Sequence, residues 1–328
     1  MPKVGLAEII AAVRGADSFL IMSHPNPDGD AVGSTLAMYY LLRALGKDEI
    51  VCMNDDLVPR IYSWLPGADL IVRSAEQSSR VPASTVIVVD AGSRVRVGKA
   101  GDLAEPAAQW VMIDHHLDER STGDLAFIDP TYSAVGEIIV ELFDEAGLDL
   151  SREAATCAYV SIATDTGGFR YANTTPRSHR IAARLLEMGV DAAEISSRVF
   201  DVMSVPKFEM LRRVLERTQR IVEGRVAYSV LTARDSRETA ARGEDVDGLI
   251  NFPRNIEGVE VGILFREVGP STTKVSMRSR NAFNCAAFLE PLGGGGHAGA
   301  AGATLEMPLA EVRRMVLEQV RTALGDPA

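Results

Sequence analysis

Four short segments concentrate the side chains that hold divalent cations: His24-Pro25-Asn26-Pro27-Asp28-Gly29-Asp30, Asp90-Ala91-Gly92-Ser93, Asp114-His115-His116 and Thr164-Asp165-Thr166-Gly167-Gly168. Brought together and buried, their carboxylates would repel, at a cost of roughly several kcal/mol each. Divalent cations remove that cost. Carboxylate oxygen with one or two imidazoles suits manganese, with magnesium or cobalt as alternatives, whereas structural zinc would favour cysteine. Side chains of this number can hold two ions about 3.5–4 Å apart if one carboxylate bridges them. Such a pair polarises a phosphoryl group and activates water for in-line attack. Taken singly the segments are weak: Asp28 and Asp30 are ordinary turn residues around Gly29, and Asp90 alone could end a turn. Their conjunction carries the reading.

A second cluster lies near the C-terminus, where Gly293 to Gly296 precede His297. Glycines let a backbone approach an anion closely and present N–H groups, and His297 adds a donor. The small residues that follow, Ala298 to Gly302, are expected to allow close helix packing. Gly294, Gly295, Gly296 and His297 are therefore candidate phosphate contacts, with Arg278 and Arg280 as guanidinium partners. His179, between Arg177 and Arg180, reads as a solvated surface residue. Ser133 reads as the N-cap of a following helix.

The elements that must position these groups follow from the hydrophobic pattern. Ser18–Ser23 reads as a strand, followed by a loop and a helix from about Ala31 to Leu45. Val51 and Cys52 lie in a second short strand, and Val86–Val89 and Val111–Ile113 are apolar runs without alternation, as in a parallel sheet covered on both faces. Helices are expected over 134–146 and 152–163. This rhythm predicts an α/β fold with a doubly wound, mainly parallel sheet. Three of the acidic segments then follow strands, at the carboxyl edge where ligands bind in open sheets. A charged amphipathic helix, Lys207–Val222, with Leu211, Val214, Leu215 and Thr218 on one face, is expected to connect the domains. Strands over 226–231, 259–265 and 274–277, with helices near 282–289 and 309–324, predict a smaller α+β domain. The expected boundaries are 1–192, a linker over 193–224, and 225–328.

Composition narrows the class. A net charge of −11 over 328 residues argues against long duplex nucleic acid as a partner. It leaves room for a small anion held in a local positive site. No apolar run reaches the ~18 residues of a membrane helix, and Glu8, Arg14 and Asp17 interrupt the N-terminal stretch where a signal peptide would lie. Cys52, Cys157 and Cys285 are odd in number and far apart, as expected of reduced, buried thiols in a cytoplasmic protein.

His-x-x-x-Asp-x-Asp, a strand-terminal Asp, Asp-His-His and a later Asp, in this order, resemble the DHH phosphoesterase superfamily. Val275-Ser276-Met277-Arg278-Ser279, the Gly-Gly-Gly-Gly-His run and Ala300-Ala301-Gly302 resemble its DHHA1 domain. The pair at this length is similar to the NrnA-type branch, oligoribonucleases that also dephosphorylate 3′-phosphoadenosine 5′-phosphate, with relatives that cleave linear or cyclic di-adenylate. The resemblance implies that His24 and Asp28 bind one metal, that Asp30, His115 and Asp165 bind the other, and that Asp90 bridges them. It implies that His116 faces the scissile phosphate, with Asp114 orienting a histidine, in a cleft between the domains. It also implies a homodimer. Three alternatives share the metal motifs. A family II inorganic pyrophosphatase would carry a Lys/Arg-rich second domain, a long-strand exonuclease would add a nucleic-acid module, and a cyclic di-nucleotide sensor would need neither Asp90 nor His116.

Overall fold

The computed structural model describes residues 4–325 apart from Ala107, 117–121 and 281–282, and for His297 the backbone alone. The chain divides into two compact units, Met1–Val202 and Met203–Ala328. In the first, six strands form one parallel sheet: β1 (Ser18–Met22), β2 (Glu49–Asn54), β3 (Ile71–Arg73), β4 (Thr85–Val89), β5 (Gln109–Asp114) and β6 (Leu125–Ile128), in the order 3-2-1-4-5-6. This is the doubly wound order, and its topological switch lies between β1 and β4. β3 and β6 escaped the sequence reading, because three or four residues at a sheet edge leave too short a pattern to read.

Alternate residues of each strand enter different cores. Phe19 and Ile21 of β1 pack with α1 (Leu6–Gly15), α2 (Gly29–Ala44), α3 (Val135–Ala146), α4 (Arg152–Asp165), α5 (Pro176–Glu187) and α6 (Ala192–Ser196). Leu20 and Met22 pack on the other face, which is covered by the 3₁₀ segment Arg94–Leu103 through Val97 and Ala100. Helices α2 and α4 approach closely because α2 is glycine-lined. A Cβ on Gly29 would lie 2.4 Å from Thr164, and one on Gly33 would lie 2.5 Å from the Cys157 carbonyl oxygen. The approach brings the first turn of α2 beside the last turn of α4, the two helix ends that carry acidic motifs.

The second unit is built on a mixed sheet ordered β11-β12-β10-β9-β8-β7. Its strands are β7 (Gln219–Ile221), β8 (Val226–Leu231), β9 (Val261–Gly269), β10 (Thr272–Ser279), β11 (Gly295–His297) and β12 (Ala300–Leu305). One helix proves to be part of this body. α7 (Val205–Arg217), read from sequence as a connector, buries Met210 and Val214 against Leu231 and Leu249. Leu215, expected on one face with Val214, is 55% exposed, whereas Val214 is fully buried. α8 (Ala233–Thr239) follows β8, and α9 (Asn251–Arg254) joins α7 on the same sheet face. α10 (Cys285–Leu289) and α11 (Leu309–Ala323) cover the other face through Cys285, Leu289, Val312 and Val316. Gly295 to Leu305 form a hairpin, β11 and β12, and the small residues after His297 do allow helix packing, with Ala301 of β12 buried in one core with Cys285 and Leu289 of α10. Among the described residues, no helix is long and apolar enough to cross a membrane.

Candidate active site

The acidic segments of the first unit converge at the carboxyl edge of its sheet, around the switch between β1 and β4. His24 follows β1. Asp28 is the N-cap of α2, its carboxylate accepting the Asp30 and Ala31 N–H groups at 3.1 and 3.0 Å. Asp30 lies in the first turn of α2 and is fully buried. Asp90 follows β4 directly, with a left-handed φ of 56°, a strained conformation for a residue with a Cβ. Asp114 closes β5, with His115 and His116 beyond it. Asp165 is the last residue of α4, so the helix runs two residues further than its apolar pattern predicted.

The donor atoms fall into groups. His24 Nε2 stands 3.2 Å from Asp90 Oδ2 and 3.9 Å from Asp28 Oδ1. His115 Nε2 stands 3.4 Å from Asp30 Oδ2, 3.2 Å from Asp165 Oδ2 and 3.8 Å from Asp90 Oδ1. Asp90 therefore presents one oxygen to each group. Within His24/Asp28/Asp90 and within Asp30/His115/Asp165, one ligand atom per residue lies within 4.8 Å of the others, the compactness a metal ion requires. His115 directs Nδ1 to the Tyr132 carbonyl at 3.3 Å and His24 directs Nδ1 to the Pro25 carbonyl at 2.8 Å, which turns Nε2 of each ring into the cluster. His116 donates from Nδ1 to Asp114 at 2.8 Å, and that carboxylate also accepts the His115 and His116 backbone N–H groups.

The electrostatics fit a cation site. Among the described residues, Asp90 Oδ1, Asp114 Oδ2 and His115 Nε2 are buried without a hydrogen-bond partner, a costly state that a bound cation would relieve at the ligand atoms. Burial, and then the neighbouring Asp30 and Asp28, hold the Asp90 carboxyl well above the usual range. Burial also pushes Asp30 up to about 7, against the hydrogen bonds it accepts, and Asp165 up to about 9 with help from Asp30 and Asp90. His115 is pushed down to about 4 by burial and by His116. For Asp114 burial acts upward, but the His116 hydrogen bond and charge outweigh it and hold the carboxyl low. His116 in turn is raised by its bond to Asp114. The donor set is therefore a group of carboxylates that cannot all ionise without positive charge from elsewhere.

Several contributors were not singled out in the sequence. Ser161 Oγ donates to Asp30 Oδ1 at 2.6 Å and accepts the Gly136 N–H at 2.8 Å, while the Val135 N–H reaches Asp30 Oδ2 at 2.9 Å. Ser161 lies one turn before Asp165 on α4, so helical spacing alone could have found it. Arg96, 38% exposed, brings its guanidinium 3.8 Å from Asp114 Oδ2, six residues after Asp90 with no pattern to mark it. Ser133 is not an N-cap: Ala134 holds that place, and the buried Ser133 hydroxyl donates to Glu137. His179 is exposed, as read, but stacks on Phe169 at 5.2 Å.

The candidate phosphate contacts belong to the second unit. Gly294 is used for packing: its N–H donates to the Leu289 carbonyl, and a Cβ there would lie 2.7 Å from the Gly302 oxygen. Gly296 has φ 136° and is equally closed, whereas a Cβ on Gly295 would meet open space. Arg278 donates to the Met277 carbonyl, and Arg280 reaches the Asn255 backbone and side-chain oxygens at 3.4 and 3.3 Å. The His297 side chain lies outside the described residues.

A model of the DHH family, N-terminal domain, matches residues 18–162, and one of the DHHA1 domain matches residues 223–326. The chain is 34% identical to the bifunctional oligoribonuclease and PAP phosphatase NrnA of Thermus thermophilus, over 97% of this chain and 93% of that one. It is 27% identical to the protein of the same name from Bacillus subtilis, over 91% and 92% of the two chains. An exopolyphosphatase-related protein from Bacteroides fragilis has a crystal structure that superposes with a TM-score of 0.89 at 26% identity, covering 98% of this chain and 97% of that one.

Proposed function

Because the chain belongs to the DHH family, with a DHHA1 domain after the DHH domain, we propose that it is a two-metal phosphoesterase acting on short oligoribonucleotides and on 3′-phosphoadenosine 5′-phosphate. The products are nucleoside 5′-monophosphates from the former and AMP from the latter. The observation that carries this reading is Asp90, a buried carboxylate with one oxygen toward His24 and the other toward His115. A single side chain so placed suits a shared ligand of two cations.

In this reading His24, Asp28 and Asp90 would hold one ion, and Asp30, His115 and Asp165, with Asp90, would hold the second. The all-oxygen and imidazole donor set favours manganese. When bound, the ions supply Lewis acidity to the phosphoryl oxygens and lower the pKa of an attacking water. The chain's own groups do the rest. Ser161 and the Val135 N–H hold Asp30 in one orientation. Asp114 accepts the Nδ1–H hydrogen bond of His116, so His116 Nε2 is the nitrogen directed to a phosphoryl oxygen, where a donor stabilises developing charge. Arg278 and the hairpin around Gly295 and His297 bind the substrate's outer phosphate. The substrate is small, the enzyme works in the cytoplasm, and it acts as a homodimer.

The test is product analysis with manganese on inorganic pyrophosphate, 3′-phosphoadenosine 5′-phosphate, linear and cyclic di-adenylate, and RNA of increasing length, with Asp90→Ala and His116→Ala beside the parent. Cleavage of dinucleotides and the bisphosphate, lost in both variants, is the expected result. Turnover of pyrophosphate alone would move the chain to the pyrophosphatase branch. Tight nucleotide binding without turnover would make it a sensor.

A further inference from the structure

The net charge of −11 is unevenly distributed. Residues 1–202 carry 17 Lys/Arg against 29 Asp/Glu, whereas residues 203–328 carry 17 against 16. The second unit is therefore the body that a polyanion can approach, and within it cations gather on one sheet face. Val275 and Met277 of β10 and Ile263 and Phe265 of β9 point into the core beneath α11. Alternation sends Lys274, Ser276 and Arg278 of β10, and Arg266 of β9, to the opposite face.

Lys274 and Arg266 are direct cross-strand partners in the antiparallel ladder. Like charges directly opposite on a sheet destabilise the pair. Among the described residues, no carboxylate lies within salt-bridge distance of either side chain, in contrast to Arg213, Arg217, Arg225 and Arg234 of the same unit. The two cations line a cleft of about 60 Å³ with Ser276, Arg278, Asp247 and Gly248. Among the described residues, Asp247 is the one acidic group lining it. Burial raises its pKa, opposed by Lys274, Lys207 and Arg266.

We propose that the Lys274/Arg266 cleft is a second nucleotide subsite, which takes one phosphodiester group, with the 2′-hydroxyl beside it, from an RNA strand running along β10 from Arg278 towards Lys274. This inference rests on the phosphoesterase reading and extends it. Arg278 lines the same cleft, and Lys274 stands four residues from it along the strand, a Cα separation of about 13 Å at the usual rise, so the two cations mark different positions along one path. A dinucleotide or bisphosphate held at Arg278 need not reach it, but a longer strand can. The phosphate settles between Lys274 and Arg266 and relieves their repulsion, and Ser276 supplies a hydroxyl donor. Asp247 decides what kind of anion enters. A bare phosphate would meet its negative charge, whereas a ribonucleotide offers a 2′-hydroxyl that donates to it.

The experiment is steady-state kinetics of the manganese-loaded full chain, comparing the parent with Lys274→Ala, Arg266→Ala and Lys274→Arg. The substrates are 3′-phosphoadenosine 5′-phosphate, a diribonucleotide, a pentaribonucleotide and its deoxy counterpart. Both alanine variants should raise KM for the pentaribonucleotide about tenfold, with kcat little changed, and should lower the salt dependence of its KM by about one in log–log slope. KM for the bisphosphate and the dinucleotide should stay at the parent value, Lys274→Arg should behave as the parent, and the deoxy pentamer should lose part of the parent's length advantage. Equal KM increases on all four substrates, or none on any, would overturn the subsite. AMP that inhibits pentamer cleavage but spares the dinucleotide would assign the cleft to free product rather than to the strand, and would overturn it too. A parent enzyme that turns over no ribonucleotide at all would instead sink the phosphoesterase reading, before any variant is compared.

Discussion

Asp90 in the first unit and Asp235 in the second are equally buried, each 2% exposed, and they solve burial in opposite ways. Asp235 accepts two hydrogen bonds from Arg217 at 2.6 and 2.9 Å, faces Arg213 at 3.0 Å, and accepts the Thr232 N–H and hydroxyl. Burial pushes its carboxyl upward, but Arg217 and Thr232 outweigh burial and hold it well below the usual range. Among the described residues, no arginine lies within salt-bridge distance of Asp90. Its described neighbours are imidazoles and other carboxylates, none of which gives its Oδ1 a hydrogen bond, and its carboxyl is held high. A buried carboxylate whose countercharge is covalently part of the chain is structural. One whose countercharge is missing from the chain marks a place for a cation that comes and goes.

The contrast can be broken most sharply at Asp90. Asp90→Asn should lower turnover of 3′-phosphoadenosine 5′-phosphate by more than the roughly 100-fold that loss of a residue behind a metal ligand costs. The same change should leave the metal-free protein as stable as the parent or more so, because it removes a carboxylate that repels Asp30 and Asp28. Calorimetry without metal, set beside the turnover assay, checks both halves, and a large loss of stability would contradict the comparison.

Asp235→Ala should do the reverse. It removes the carboxylate that Arg217 holds with two hydrogen bonds, while Arg213 keeps Glu209 and Glu238, and should cost about 2–3 kcal/mol of stability, the low end for a broken buried pair because Arg217 is 41% exposed. Its kcat should match the parent's. Denaturant unfolding measures the first effect, and an altered kcat would argue that the two regions are coupled.

Ser161→Ala sharpens the comparison between ligand and support. Asp30 would keep the Val135 N–H but lose a hydroxyl, so manganese affinity should fall about 10–100-fold. Manganese titration of activity should shift to higher concentration, with kcat at saturation largely recovered. An unchanged midpoint would remove Ser161 from the site.

The smallest effect is the slope of stability with pH. In the metal-free protein Asp30 and Asp165 have folded pKa values of about 7 and about 9 against an ordinary 3.8. The folded state therefore binds more protons than the unfolded state between about pH 4 and 9, and stability falls as pH rises through that window. Saturating manganese should flatten this slope, so the rise in Tm on adding metal should be greater at pH 8 than at pH 6. Asp235 has the opposite sign. Its lowered pKa contributes stability above the ordinary carboxylate range, and that contribution disappears as the solution is acidified below it.

Much of this was legible in the residues. The order His24, Asp28, Asp30, Asp90, Asp114, His115, His116, Asp165 and the uninterrupted apolar strands before three of these segments were enough to expect a parallel sheet with acidic groups at its carboxyl edge. The reason is local: side-chain type and a strand's apolar run are properties of a few consecutive residues. The edge strands β3 and β6, the 3₁₀ cover over 94–103 and the placing of Gly294 against α10 were not legible, because each depends on what lies across the fold rather than beside it in the chain. The same holds for the residue that fixes Asp30. Ser161 is 131 positions away and reaches it only because Gly29 and Gly33 let α2 and α4 approach closely. Sequence alone determined which groups could meet a cation. Tertiary structure decided which carboxylates were given an arginine and which were left without one, since the cost of burying a charge is set by its surroundings in space.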